Sequence, residues 1–186
     1  MTFDESYPFD SVATYPAADI AAAWQRERPG APTSSIEVVT PIFRLAKLFA
    51  DDRRRVLASC GVDGATLDLL SVIRRSGPPY QLSTREIASR ALVTAGAISQ
   101  RIARAERDGL VERSPAGPGS RAVLVTLTDA GHRLVERTVD QVLGREADLV
   151  TDLTDQQRVD LTSALDRLLG SVARKTRSGP IRPGTR

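Results

Sequence analysis

Between Thr94 and Gly131 the chain reads TAGAISQRIARAERDGLVERSPAGPGSRAVLVTLTDAG, and this stretch restricts the fold most strongly. Thr94 can cap a helix, apolar residues then recur at helical spacing through Ala105, and Asp108-Gly109 supplies the stop. Residues 110–114 and 121–127 read as two strands joined by the Pro/Gly-rich loop PAGPGS. Asp129 onward resumes a helix. A helix, a sharp stop and a short hairpin predict a mostly α chain with a small β-hairpin wing.

The flanks extend that module. PAADIAAAWQRER, Pro16 to Arg28, is a short helix closed by Pro29-Gly30, and APTSS is a linker. A long helix to about Ser59 carries Ile42, Leu45, Phe49 and Val56 as its ridge, with Pro41 marking either its start or a kink. Asp63 to Arg75 forms the next helix, stopped by Gly77-Pro78-Pro79, and STREIASRAL opens with a Ser83/Glu86 capping box. A second capping box, Thr154 to Gln157, starts a last helix expected to bury Leu161, Leu165, Leu168, Leu169 and Val172. The division is an extension with one added helix (1–35), terminal helices (36–62 and 129–175), a winged helix-turn-helix (63–128) and a disordered tail (176–186). The terminal helices hold more apolar surface than so small a domain can cover, which predicts a homodimer built from them.

Charge narrows the class of partner. Residues 71–122 carry nine arginines against four acids, a net of +5, between a −3 segment (1–35) and a −4 segment (123–170). A basic island with acidic flanks is the footprint of a polyanion-binding module, although a solvated surface has the same composition. No run of about 18 apolar residues predicts a membrane span, and the acidic start MTFDESYPFD is no secretory signal, so a cytoplasmic location is expected. One cysteine, Cys60, and one histidine, His132, provide neither a disulfide framework nor an ordinary metal cage. Cys60 reads as a small buried hydrophobe, a redox role being left open by the sequence, and His132 as a solvated surface residue. No phosphate-binding glycine loop or nucleophile elbow is present, so the chain is not expected to be an enzyme or to need a cofactor.

The arginines separate by face. On a helical wheel with Ile98 as its origin, Ile102 falls at about 40° and Ala105 at about 340°, defining a buried stripe. Gly96, Ser99, Gln100, Ala103, Arg104 and Arg107 spread over roughly 100–240°, opposite it. Small residues near the capped start at Thr94, then polar and basic ones, suit a helix end that approaches base edges and phosphates. Arg121, at the hairpin tip, is placed to reach a minor groove. Arg101 falls at about 300°, beside the core, where an unpaired charge is costly, and so needs an inward partner. Arg113, at the scaffold end of the hairpin, is the second inward candidate.

AISQRIARAERDGLVER, the Gly-rich hairpin with Arg121, and LTDAG at 127–131 together resemble the MarR family of dimeric winged-helix repressors, over roughly residues 36–175. The resemblance implies a homodimer on a pseudo-palindromic operator in double-stranded DNA, read by Thr94, Gly96, Ser99, Gln100, Arg104, Arg107 and Arg121. Gly119 stands where the family has an aspartate that orients the wing-tip arginine, which implies a looser wing. A closer resemblance is to the urate-responsive subgroup, with its tryptophan-bearing added helix. It implies a ligand site of Trp24, Asp68, Arg101 and Arg113 for a small anionic effector such as urate. Two guanidinium forks suit anionic oxygens, Asp68 can accept from ring N–H groups, and Trp24 offers a flat wall. Without the resemblance, Trp24 reads as core and Asp68–Arg101 as an interhelical salt bridge. The alternatives are a MarR-type regulator of phenolic or lipophilic compounds, a nucleoid-type DNA binder without effector, and a winged helix used only for protein contact.

Overall fold

A computed structural model describes residues 16–117, 120 and 122–177. The chain divides into two compact units, one ending at Thr138 and one beginning at Val139.

In the first unit, α1 (Ala17–Glu27) packs on α2 (Ile36–Ser59), with a 3-10 turn at Thr33–Ser35 leading into α2. The residues expected to be a linker thus already turn helically. Pro41 lies inside α2, so it does not start that helix, and its missing N–H leaves the Glu37 carbonyl without an intrahelical donor. Gly61, with φ of 68°, ends the segment.

Next come α3 (Gly64–Arg74), β1 (Gln81–Ser83), α4 (Thr84–Ala91), α5 (Ala95–Arg107), β2 (Val111–Pro115), β3 (Val123–Leu127) and α6 (Asp129–Leu149). The Asp63 carboxylate caps α3 by accepting from Thr66 N at 2.8 Å, and Ser83 with Glu86 forms the expected capping box on α4. The wing has three strands where the sequence predicted two. β3 lies between β1 and β2, both antiparallel to it, with Gln81 opposite Thr126 and Val111 opposite Leu127. β1 is three residues long, too short for an alternating pattern, and exists because β3 offers a second edge to pair with.

The core lies where these elements meet: Leu67, Leu69, Leu70, Val72 and Ile73 of α3, Ile87, Ile98 and Ile102, and Val111, Val125 and Leu127 of the sheet are all buried. LTDAG at 127–131 locks the wing to α6. Thr128 Oγ1 donates to the Gly109 carbonyl (2.7 Å) and accepts from Gly131 N (3.0 Å), while Thr128 N donates to the Leu110 carbonyl (3.2 Å). His132 is not the solvated residue expected. Its ring meets Tyr80 edge-on at 4.6 Å, and the Arg74 guanidinium lies 4.7 Å from the same Tyr80 ring while pairing with Glu136. Cys60 is half-buried at the end of α2.

In the second unit, α7 (Asp155–Arg177) opens with the expected Thr154/Gln157 box and continues into the predicted tail as far as Arg177. Leu161, Leu165, Leu168, Leu169 and Val172, expected from the sequence to be buried, are instead 36–69% exposed within this chain. Helical spacing places apolar residues on one stripe; it does not provide what covers the stripe. Among the described residues no single helix is long and apolar enough to cross a membrane.

Candidate functional site

The Thr94 hydroxyl starts α5 by accepting from Ala97 N at 3.3 Å, and Ile98, Ile102 and Ala105, each 1% exposed, fix the helix against the core. With 3.6 residues per turn, burying that stripe turns Gly96, Ser99, Gln100, Arg104 and Arg107 outward, and all five are exposed; Ala103 is half-buried. Ser99 Oγ donates to its own helix at the Ala95 carbonyl (2.9 Å), which leaves its lone pairs free to accept. Arg107 Nε bonds the Ala103 carbonyl at 3.3 Å. Gly119 and Arg121 lie outside the described residues.

Arg104 is exposed but already has partners. Its Nη1 is 2.9 Å from an Asp63 carboxylate oxygen and its Nε 3.9 Å from Asp108. The Asp63 carboxyl is held below the usual carboxylate range, chiefly by the Thr66 backbone hydrogen bond, with Arg104 adding to the effect and partial burial opposing it. The Asp108 partner was legible as an i, i+4 spacing; Asp63 belongs to another helix and was missed. An exposed pair of this kind is weak, so the guanidinium can exchange a carboxylate for a phosphate.

Asp63→Asn tests that exchange, because asparagine keeps the cap while removing the competing charge. DNA binding measured by fluorescence anisotropy is expected to tighten about threefold, within the range of a surface pair. The folded pKa of Asp63 lies below its unfolded value of about 3.9. Its contribution to stability is therefore present above that value and lost as pH falls through the folded pKa. Thermal midpoints of the variant should thus fall less on acidification.

Around the inward face, Arg101 is half-buried and its side chain makes no hydrogen bond or ion pair among the described residues. Arg113 is exposed and ion-paired through Nη2 with Glu106 of α5. The hydrogen bond from Arg113 holds the Glu106 carboxyl below its usual range. Asp68 is exposed and unpaired among the described residues, so the interhelical bridge with Arg101 is not formed. Trp24, 54% exposed, is not a core residue within this chain. No hydrogen bond or ion pair joins Trp24, Asp68, Arg101 and Arg113 to one another among the described residues. Arg101 is thus the open cation, whereas an anion approaching Arg113 must displace Glu106 or share its fork. Among the described residues no group of three or more His, Cys, Asp or Glu side chains could hold a metal.

Residues 61–122 match the model of the MarR family. The chain is 26% identical over 151 residues to the HTH-type transcriptional regulator PecS of Dickeya dadantii (strain 3937), spanning 81% of this chain and 91% of that protein. It is similar in structure to Sco3205, a MarR family transcriptional regulator from Streptomyces coelicolor solved in complex with DNA. There the TM-score is 0.63 at 26% identity, over 73% of this chain and 88% of that one. A mutant MarR from E. coli complexed with operator DNA gives a TM-score of 0.57 at 26% identity, over 70% and 95% respectively.

Proposed function

We propose that this chain is a DNA-binding winged helix-turn-helix transcriptional regulator of the MarR family, a reading supported by the match over residues 61–122 and the likeness to PecS and to MarR structures solved with DNA, and that it is a repressor released from its operator by a small planar anion of the urate type. The observation that carries the reading is Arg101, a half-buried guanidinium on the same helix that exposes Gly96, Ser99, Gln100 and Arg107 on its other side. An anion drawn to Arg101, with Arg113 as the second fork, Asp68 accepting from ring N–H groups and Trp24 as a wall, acts directly on the element that reads DNA.

The active form is a homodimer. The exposed leucines of α7, and Val38, Phe43 and Phe49 of α2, are apolar stripes of the kind a second copy covers. Its two copies of α5 enter successive major grooves of a pseudo-palindromic operator, half-sites about one helical turn apart, and Arg121 follows the adjacent minor groove. Binding at Arg101 shifts α5 and alters the spacing of the two reading helices. Coupling of about 1–3 kcal/mol lowers operator affinity roughly 5–150-fold.

The test uses the DNA duplex that the protein itself enriches from a random pool, titrated with urate in a gel-shift assay. Affinity is expected to fall within that range, and Arg101→Ala and Trp24→Ala should each blunt the response. Operator affinity indifferent to urate refutes the effector. A full response in Trp24→Ala moves the ligand to a different cleft.

A further inference from the structure

At the corner between α4 and α5, two residues run against the stability of the chain. Leu92 caps the end of α4 in the left-handed region, φ 55° and ψ 39°. A side chain there crowds the following carbonyl, and glycine is the usual occupant. The Leu92 side chain gains nothing in return, since it is 92% exposed. Gly96, in the first turn of α5, is the converse case. A Cβ there would meet nothing within 4 Å, so no packing demands glycine, and alanine would favour the helix.

Tyr80 provides the internal comparison. Among the described residues it is the other non-glycine with positive φ, at 57°. Its ring packs against His132 and beneath Arg74, so contacts within the chain compensate that backbone. Leu92 has no such compensation. Single exposed apolar residues are ordinary; an exposed one held in a disfavoured backbone conformation calls for a contact outside the chain. Leu92 and Gly96 flank the Thr94 cap, beside Ser99 and Gln100, and α4 adds the exposed Arg85 and Arg90. With the exposed Glu86 between those two arginines the surround keeps a net positive charge, which fits a polyanion.

We propose that Leu92 is an apolar DNA contact, its isobutyl group lying on a thymine methyl or on the face of a deoxyribose, while Gly96 leaves room for the duplex to approach the start of α5. The proposal rests on α5 being the helix that reads the groove. Thymine methyls and sugar carbons are the apolar surface that a duplex offers at this position.

The experiment compares Leu92→Gly, Leu92→Asn and Arg107→Ala on the duplex enriched by the unaltered protein. Both Leu92 variants accept the left-handed backbone, so thermal midpoints should hold or rise. Operator affinity is expected to weaken about tenfold in each, as for loss of a partly buried leucine. Salt dependence of binding should not change, because no phosphate contact is lost. A duplex with deoxyuridine for thymidine identifies the apolar surface. Weaker binding by the unaltered protein but not by Leu92→Gly assigns the methyl, and equal binding by the unaltered protein assigns the sugar. Unaltered operator affinity in both Leu92 variants, with Arg107→Ala still weakened, overturns the contact and spares the reading of α5. Loss of repression in cells at unchanged operator affinity also overturns it and makes Leu92 a protein-facing residue. No effect from any of the three variants removes α5 itself from the interface.

Discussion

Gly131→Ala is expected to destabilise the winged unit by about 3 kcal/mol, the upper part of the usual range for overpacking a tight contact. A Cβ at Gly131 would fall on the carbonyl oxygen of Leu110, with the carbonyl carbon at 3.1 Å and a Leu127 methyl at 3.2 Å. The methyl could rotate away, but the carbonyl is fixed. Leu110 donates its own N–H to Ala105 (2.8 Å) and accepts from Thr128 N (3.2 Å), and the Thr128 side chain holds Gly109 beside it. Relief would require α6 to lift from the corner where α5 becomes β2, breaking the Thr128 clamp. Urea unfolding followed by circular dichroism measures the effect. Gly96→Ala, also in a helical first turn but with open space around it, should instead be neutral or stabilising by up to about 1 kcal/mol. Equal midpoints for Gly131→Ala and the unaltered protein would mean that the close approach of α6 to Leu110 is not obligatory.

Arg104→Ala combined with Arg107→Ala is expected to weaken operator binding about 100-fold at physiological salt, and to reduce the slope of log affinity against log salt by about 2. Both side chains are exposed on the face of α5 opposite Ile98, Ile102 and Ala105, so the fold should be unaffected. The slope separates two arrangements of Arg104. A reduction of about 2 means that both arginines reach phosphates and that Arg104 leaves Asp63 on DNA. A reduction of about 1 means that Arg104 stays with Asp63 and only Arg107 is a phosphate ligand. An unchanged slope would contradict the assignment of this face to DNA. Anisotropy titrations at several salt concentrations are sufficient.

The helix starts, the buried stripe of α5 and the hairpin were legible because each depends on residues close together in sequence. Ser83 reaches Glu86, Thr94 reaches Ala97, Thr154 reaches Gln157, and Ile98, Ile102 and Ala105 share a face by the pitch of one helix. The third strand was not legible, since Gln81–Ser83 has no pattern of its own and is a strand only by pairing with Val123–Leu127. Nor was the state of the proposed ligand arginines. The wheel placed Arg101 correctly at the margin of the core, but the acid that engages Arg113 is Glu106, across the turn at Asp108-Gly109.

By itself, then, the sequence determined the helix boundaries at their caps and the two faces of α5, because those follow from short-range hydrogen bonds and helical period. Only the tertiary structure decided which charges are already engaged. Asp63 meets Arg104 from another helix, and Glu106 meets Arg113 across a turn. Such pairings depend on where whole elements come to rest, and that is set by packing of the core rather than by the charged residues themselves.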